Sequence, residues 1–475
     1  MIRYLLGVIL LIEAVFMTLS SIVSLSYSEN VFPFLITIAI IICISLPFVI
    51  FKPKNTQIFA KEGFVTVASG WLLLSAFGAL PFFFSGFFPN YIDALFESIS
   101  GFTTTGATIL TDVEALPKGI LFWRSLTHWL GGMGVLVFML AILPSAGGQT
   151  MHLMRAEVPG PTKGKLVPKM RQSSLILYGI YVVLTAIQLV LLVIFGMPLY
   201  DAAVTAFGTA GTGGFAVLNS SIAGYNSPAI EWIVAIFMLL FGVNFNIYFF
   251  ILMGKIKDVL QSEELRVYLI ICAAATALIT LNTITMFDSV SDGIRASFFQ
   301  VTSIMSTTGF STADFNLWPS FSKTVLLILM VTGACAGSTA GGLKISRLII
   351  LFKNALKEIR HVRSPKSINV VRLNGEAIST ETVRSAAGYF IVYVLILISS
   401  VLLISVDAFS LETNLSAVLA TLNNIGPGLD AVGPMSNFSV YSYFSKIILS
   451  FNMLIGRLEI MPMMILFSAV FGKRK

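Results

Sequence analysis

The chain has 475 residues, of which 56% are hydrophobic and 11% charged, with a formal net charge of +7. A chain this long has room for roughly two to four soluble domains, but its composition excludes them, because many stretches of ~20 residues run almost without charge. Twenty apolar residues in a helix cross a bilayer, so this is a polytopic integral membrane protein.

In chain order, helices are expected at 3–26 and 31–51, forming an N-terminal hairpin over 1–61. The stretch Leu5 to Ile22 lacks a strong basic flank and a small-residue cleavage site, so it is expected to be retained. An uncleaved signal anchor would have the same pattern. Lys52, Lys54 and Lys61 make a basic loop. A first unit over 62–144 then holds a helix at 63–86, a short helix from Asp93 to Ser100, the turn Thr103-Thr104-Thr105-Gly106-Ala107-Thr108, and a helix at 117–143. A second, 145–254, opens on a connector with His152, Arg155, Lys163, Lys165, Lys169 and Arg171 and places helices near 173–196 and 228–254 around Thr212-Gly213-Gly214-Phe215. The third, 255–354, has helices near 266–287 and 322–352 around Ser306-Thr307-Thr308-Gly309-Phe310-Ser311. The fourth, 355–475, follows a basic connector and is built around Asn423-Asn424-Ile425-Gly426-Pro427-Gly428.

The four turns are copies of one element. Counting back ten, seven and four from the glycine gives Phe96, Ile99 and Phe102, then Val204, Phe207 and Ala210, then Phe299, Thr302 and Met305. These offsets describe one helix face leading into the turn. In the fourth copy Gly426 gives Ser416, Leu419 and Leu422, whereas Gly428 would put Asn424 last, so Gly426 is taken as the matching glycine. A spacing of roughly a hundred residues fits a fourfold internal duplication and is too long for a solenoid.

The charges set an expected orientation. Lys255, Lys257, Arg266, Arg347, Lys353, Lys357, Arg360, Arg363, Lys366, Arg372 and Lys473-Arg474-Lys475 fall on one side. Asp93, Glu97, Asp112, Glu114, Asp201, Asp288, Asp292, Asp314, Asp407, Glu412 and Asp430 fall on the other. By the positive-inside rule the basic side and both termini are cytoplasmic. The short helices, expected at about 8–11 residues, cannot span and must enter and return. Non-helical backbone at membrane depth is tolerated where it is buried in protein or lines a watery cavity, and four such turns most economically meet on one axis as a pore.

Stacked backbone carbonyls can replace the water around a monovalent cation, and glycine permits the dihedrals that aim them. Thr104-Thr105-Gly106, Thr212-Gly213-Gly214, Thr307-Thr308-Gly309 and Asn424-Ile425-Gly426 are therefore candidates for the four walls of a filter. Close packing of small residues is the alternative for any one of them. Asp93 and Asp201 are candidates for drawing cations to the mouth, with ordinary loop solvation the alternative. Gly333, Gly337, Ser338, Thr339, Gly341, Gly342 and Lys344 interrupt an otherwise spanning segment, so the helix is expected to break there, either as a flexible barrier under the filter or for close packing. Lys344 lacks the spacing of a phosphate-binding loop. Arg457 lies in the last apolar segment, where an arginine faces a partner or a watery space. It is either a fixed charge below the filter or half of an ion pair, and Glu459 is on a different helix face. Asn244 and Asn246 suggest interhelical hydrogen bonds, and His128, without a second ligand at metal spacing, suggests a structural role.

With these residues in view, the sequence resembles the Trk/Ktr/HKT superfamily of potassium and sodium transporters, and within it the TrkH type. The resemblance covers nearly the whole chain. It is carried by the four turns, His128-Trp129-Leu130-Gly131-Gly132-Met133-Gly134, Arg155-Ala156-Glu157-Val158-Pro159-Gly160-Pro161, the interruption at 333–342 and Gly456-Arg457-Leu458-Glu459. It implies an all-α membrane protein with an N-terminal hairpin and four helix–pore loop–helix repeats around a pseudo-fourfold pore. It also implies a homodimer, an intramembrane gating loop, Arg457 projecting into the pore, and potassium as the transported ion. A cytosolic ring of nucleotide-binding regulatory subunits of the RCK type is implied as partner, with nucleotide on that partner and no organic cofactor on this chain. Sodium-selective plant relatives carry serine at the first filter glycine. Gly106 stands there in this chain, which favours potassium, and Asn424-Ile425 departs from the Thr-x-Gly pattern. The function implied is potassium uptake across the bacterial inner membrane, with a sodium- or proton-coupled symporter as the alternative. An intramembrane hydrolase would need a nucleophile–base or paired-carboxylate constellation that the sequence does not display. A carrier of larger substrates would need a roomy midplane site in place of four narrow turns.

Overall fold

The computed structural model describes residues 1–51, 60–134, 170–365 and 369–458. Helices α1 (Ile2–Ser26) and α2 (Phe32–Ile50) pack on each other as the N-terminal hairpin. At its tip Glu29 accepts the backbone N–H groups of Lys118 (2.6 Å) and Gly119 (2.9 Å). A carboxylate thereby satisfies the unpaired donors that open a helix, and it docks the hairpin on the first repeat.

That repeat contains α3 (Ala60–Gly78) and α4 (Leu80–Phe84), together one apolar span, then α5 (Tyr91–Phe102) and α6 (Lys118–Gly132). The second has α7 (Met170–Ile194), α8 (Leu199–Gly211), α9 (Pro228–Phe241) and α10 (Phe245–Leu252). A connector helix α11 (Ile256–Gln261) leads to the third, with α12 (Glu263–Thr283), α13 (Val290–Met305), α14 (Ser320–Thr332) and α15 (Ile345–Arg363). The fourth has α16 (Thr380–Ile404), α17 (Leu411–Leu422) and α18 (Tyr443–Leu458). Six of the described helices are long and apolar enough to cross a membrane. The fold is thus an all-α membrane protein of a hairpin and four helix–loop–helix repeats.

The short helices differ in length from the expectation. They have 12, 13, 16 and 12 residues, and side-chain caps start three of them. Asn90, Ser289 and Ser410 each accept the N–H three residues on, from Asp93, Asp292 and Thr413. At about 1.5 Å per residue even the longest stays short of the ~30 Å hydrocarbon layer.

One expected element is corrected. The segment 228–254 is two helices bent by 91° at Gly242–Asn244. Gly242 ends the first, and the Asn244 side chain accepts the Asn246 N–H (2.9 Å) to start the second. Asn244 is therefore a helix cap in place of the interhelical bond expected of it. A second feature was not foreseen: a small hairpin, β1 (Arg372–Leu373) antiparallel to β2 (Glu376–Ala377), turns on Asn374-Gly375, both at positive φ. The expected helix 117–143 is described as far as 134. The connector up to 169, including Arg155–Pro161, and Lys52, Lys54, Lys366, Glu459 and Lys473–Lys475 lie outside the described residues.

The first and last repeats are joined by a buried ion pair. Asp93 at the head of α5 meets Lys446 of α18 at 2.6 Å, and the Asn90 side chain also donates to Asp93 (2.7 Å). Asp93 is therefore a packed, ion-paired group, in place of either the cation attractor or the solvated loop charge considered for it. Lys446→Met leaves a buried carboxylate unpaired and should cost about 3–5 kcal/mol, while the Lys446→Met, Asp93→Asn double variant recovers much of that loss. Melting temperatures in detergent check this: the single variant should melt well below the double.

Candidate ion pore where the four repeats meet

The four turns share one backbone. Thr104, Thr212, Thr307 and Asn424 take φ of 55°, 55°, 58° and 55°, and two residues later Gly106, Gly214, Gly309 and Gly426 take 79°, 76°, 85° and 102°. The residues between, Thr105, Gly213, Thr308 and Ile425, are not in the positive-φ region. A backbone that alternates hand in this way turns consecutive carbonyls toward one side, unlike a strand. Each turn also closes its helix identically. The N–H groups of Thr105, Gly213, Thr308 and Ile425 donate to the carbonyls five residues back, Ser100, Gly208, Ser303 and Ala420, at 2.9, 2.8, 2.8 and 2.8 Å. Asn424 fits the fourth turn because its short polar side chain tolerates the left-handed region. Gly426, not Gly428, takes positive φ there.

The turns form a closed ring. A Cβ on Gly106 would collide with the Gly213 carbonyl, one on Gly214 with that of Thr308, and one on Gly309 with that of Ile425. On Gly426 it would lie 2.8 Å from the Thr105 carbonyl, which returns the chain of contacts to the first repeat. Each glycine is thus pressed against the residue that precedes the next repeat's glycine. The four glycines open into one cavity of about 140 Å³. The C-termini of α5, α8, α13 and α17 lead into the ring, and each carries roughly half a negative charge from its unpaired carbonyls. The junction is electrostatically suited to a cation.

Two polar networks brace the ring. Buried Glu97 of α5 pairs with Arg124 of α6 (2.6 Å) and accepts from the Thr108 hydroxyl (2.9 Å) and the Ile109 N–H (3.1 Å). Arg124 continues to the Ala216 carbonyl (3.3 Å) and lies over the Phe215 ring at 3.4 Å. Glu97 therefore ties the first turn to the second and is not a mouth charge. His128 bonds the Gly101 carbonyl (2.7 Å) and stacks on Phe215 at 4.1 Å, a packing role behind the second turn. The Asn424 amide donates to the Thr105 hydroxyl of the neighbouring first repeat and to the Met453 carbonyl of its own, both at 2.9 Å.

Beneath the ring the chain between α14 and α15 is non-helical from Gly333 to Lys344, both at positive φ. Gly333 and Gly342 approach closely at its neck, Gly337 packs on Asn244, and the Ser338 hydroxyl donates to the Cys335 carbonyl (2.7 Å). Lys344 is buried and donates to the Ala340 carbonyl. The loop also meets the bend in the second repeat. Cys335 N–H donates to the Gly242 carbonyl (3.1 Å), Phe245 N–H to the Gly337 carbonyl (3.0 Å), and the Thr339 hydroxyl to the Phe241 carbonyl (3.3 Å). Gly341 N–H donates to the Thr307 hydroxyl of the third turn (2.7 Å). Half-buried Arg457 connects the two levels, donating to the Thr104 hydroxyl (3.2 Å), the Thr339 carbonyl (2.6 Å), the Gly132 carbonyl (2.8 Å) and the Gly131 carbonyl. All the residues singled out in the four turns, the loop and Arg457 thus lie in one stack. Among the described residues no group of three His, Cys, Asp or Glu is placed to hold a metal.

The family model described as "TrkH: Cation transport protein" matches residues 30–473. The chain belongs to the TrkH family. Its relatives include the Trk system potassium uptake protein TrkH of Escherichia coli (strain K12), 38% identical over 433 residues, which span 89% of this chain and 88% of that one. The TrkH of Halomonas elongata is 32% identical over 482 residues, spanning 100% and 99%. The crystal structure of the potassium transporter TrkH from Vibrio parahaemolyticus superposes with a TM-score of 0.89 at 30% identity, over 99% of each chain. As a member of this family the chain is a transporter and not an enzyme, and it is a multi-pass membrane protein.

The Glu97–Arg124 pair and the reach of Asn424 to the first repeat escaped sequence reasoning, because partners 27 and 319 residues apart leave no local signal. Asn424 supplies a test of the ring. Asn424→Gly keeps the left-handed backbone but loses the bond to Thr105 of the first repeat and the bond to Met453 of its own, at about 1–3 kcal/mol. Asn424→Val loses them and strains a β-branched residue at positive φ, so it should be the less stable of the two by thermal unfolding in detergent.

Proposed function

We propose that the four turns are the selectivity filter of a potassium uptake pore in the bacterial inner membrane. The filter is lined by backbone carbonyls of Thr104-Thr105-Gly106, Thr212-Gly213-Gly214, Thr307-Thr308-Gly309 and Asn424-Ile425-Gly426. The observation that carries this reading is the closed glycine–carbonyl ring with its shared alternation of hand. A ring of carbonyl dipoles replaces a hydration shell without the fixed charge that would trap the ion, and the four helix C-termini lower the energy of a cation at its base. The names of the relatives supply potassium as the ion.

In this reading the loop from Gly333 to Lys344 is the gate, with Gly333, Gly337, Ser338, Thr339, Gly341 and Gly342 providing its bends and contacts. Arg457 latches the loop to the first turn and places a positive charge in the ion's path. The basic residues of α15, among them Lys353, Lys357, Arg360 and Arg363, face the cytoplasm with both termini. There they offer a surface to a cytosolic RCK-type ring that carries the nucleotide, and the working unit is a homodimer.

Two measurements test this. Reconstituted protein should take up K⁺ and Rb⁺ far faster than Na⁺ or Li⁺, and Gly106→Ser should erase that preference. Flux with unchanged selectivity in Gly106→Ser would falsify the filter assignment. Arg457→Gln removes the charge and three-way latch, so uptake without the regulatory partner should rise several-fold over wild type. Unchanged or lower uptake from a folded Arg457→Gln variant counts against the latch.

A further inference from the structure

Glu13 lies near the middle of the 25-residue helix α1 and is 1% exposed. Neither of its carboxyl oxygens has a hydrogen-bond partner, and the same is true of the hydroxyls of Ser75 on α3 and Ser98 on α5. Glu13 and Ser98 are neighbours. The Glu13 Oε1 and the Ser98 Oγ each lie 3.0 Å from the point that a Cβ on Gly78 would occupy. Beside Glu13 is a small space of about 10 Å³, lined also by Phe16, Leu74, Phe102, Leu130 and Tyr178, close to the least volume that admits one water molecule. Phe102 is the last residue of α5 and leads directly into the first turn.

The electrostatic surroundings identify what this site takes up. From α5, Asp93 is paired with Lys446 and Glu97 with Arg124, and from α6 His128 is bonded to the Gly101 carbonyl. Lys118 stands at the outer end of α6, bonded through its N–H to Glu29, while Glu62 begins α3 and Cys43 on α2 is exposed. Among the described residues, Tyr91, whose hydroxyl donates to the Ala76 carbonyl, and Tyr178 also lie nearby, and Arg457 stands over the Trp71 ring of α3 at 5.9 Å. A bare carboxylate in such an apolar chamber is expensive. A metal cation would need several more oxygens than one carboxyl, one hydroxyl and a single water supply. A proton needs only the carboxyl itself.

We propose that Glu13, with Ser98, is a proton-binding site behind the pore helix of the first repeat. Glu13 is held there as the neutral acid, sharing its proton with the Ser98 hydroxyl or one water. On losing that proton at alkaline pH it places an unpaired charge against Ser98 and Phe102 and disturbs the helix that positions Thr103–Gly106. The consequence for ion flux rests on the filter reading above, but the proton site itself does not.

Two readouts separate the claims. Infrared difference spectra of the full-length wild type against Glu13→Gln in lipid should show a protonated carboxylic acid band at neutral pH. That band should shift in heavy water and be absent from the variant. If the wild type shows no such band at any pH where it remains folded, the proton site is wrong, whatever the protein transports. Rb⁺ uptake by wild type should then fall several-fold between neutral and alkaline pH and stay flat in Glu13→Gln. A present band with identical pH profiles in the two proteins would overturn the link to the pore. Glu13→Met, which fills the chamber with an apolar chain of similar size, repeats both readouts should the glutamine variant fail to fold.

Discussion

The contact on which the structure depends is the approach of the glycine in each of the four turns to the carbonyl of the next repeat. Four such contacts close a ring only if all four turns have the same backbone and if nothing larger than hydrogen stands at Gly106, Gly214, Gly309 and Gly426. The requirement propagates outward. The left-handed residues at Thr104, Thr212, Thr307 and Asn424 end their helices, which fixes where those helices can point. Helices that short cannot span, so each needs a surround of longer helices, and the repeat follows from the turn.

Polar groups at membrane depth are handled by pairing defects with one another. The bend at Gly242–Asn244 and the open loop after Thr332 would each leave backbone donors and acceptors without partners in lipid. They are placed face to face, and the Gly242 carbonyl and Phe245 N–H find their partners in Cys335 and Gly337. Glu264 serves the far side of the same loop, accepting the N–H groups of Ala336 (2.7 Å) and Ser346 (3.1 Å). Two interrupted helices are thus tolerable together where either alone would be costly.

Much of this was legible in the sequence, for physical reasons. Spanning helices announce themselves by length and apolarity, and the turns by recurring Thr and Gly at constant offsets from an apolar helix face. The break after Thr332 was legible because several glycines crowd into it, whereas the bend at Asn244 was not, since one glycine and two asparagines within an apolar run resemble helix–helix packing. Asp93 and Glu97 were misjudged because a carboxylate beside a loop looks solvated until its cation is seen, and Lys446 is hundreds of residues away. Glu13 passed unnoticed within an otherwise ordinary apolar helix, where composition says nothing about which face is buried.

Arg457 touches the first turn and the loop with a single guanidinium group. Two sites that share one charged ligand are thermodynamically linked, and such linkage is reciprocal. In the pore proposed above, a cation resting at Thr104 would lower the affinity of that guanidinium for its place and so loosen the Thr339 carbonyl beneath. By the same coupling, withdrawal of the loop would change how tightly the lowest position of the ring holds its occupant. Under that proposal, occupancy above and closure below would be one equilibrium, and the external concentration of the permeating ion would become an effector of its own passage.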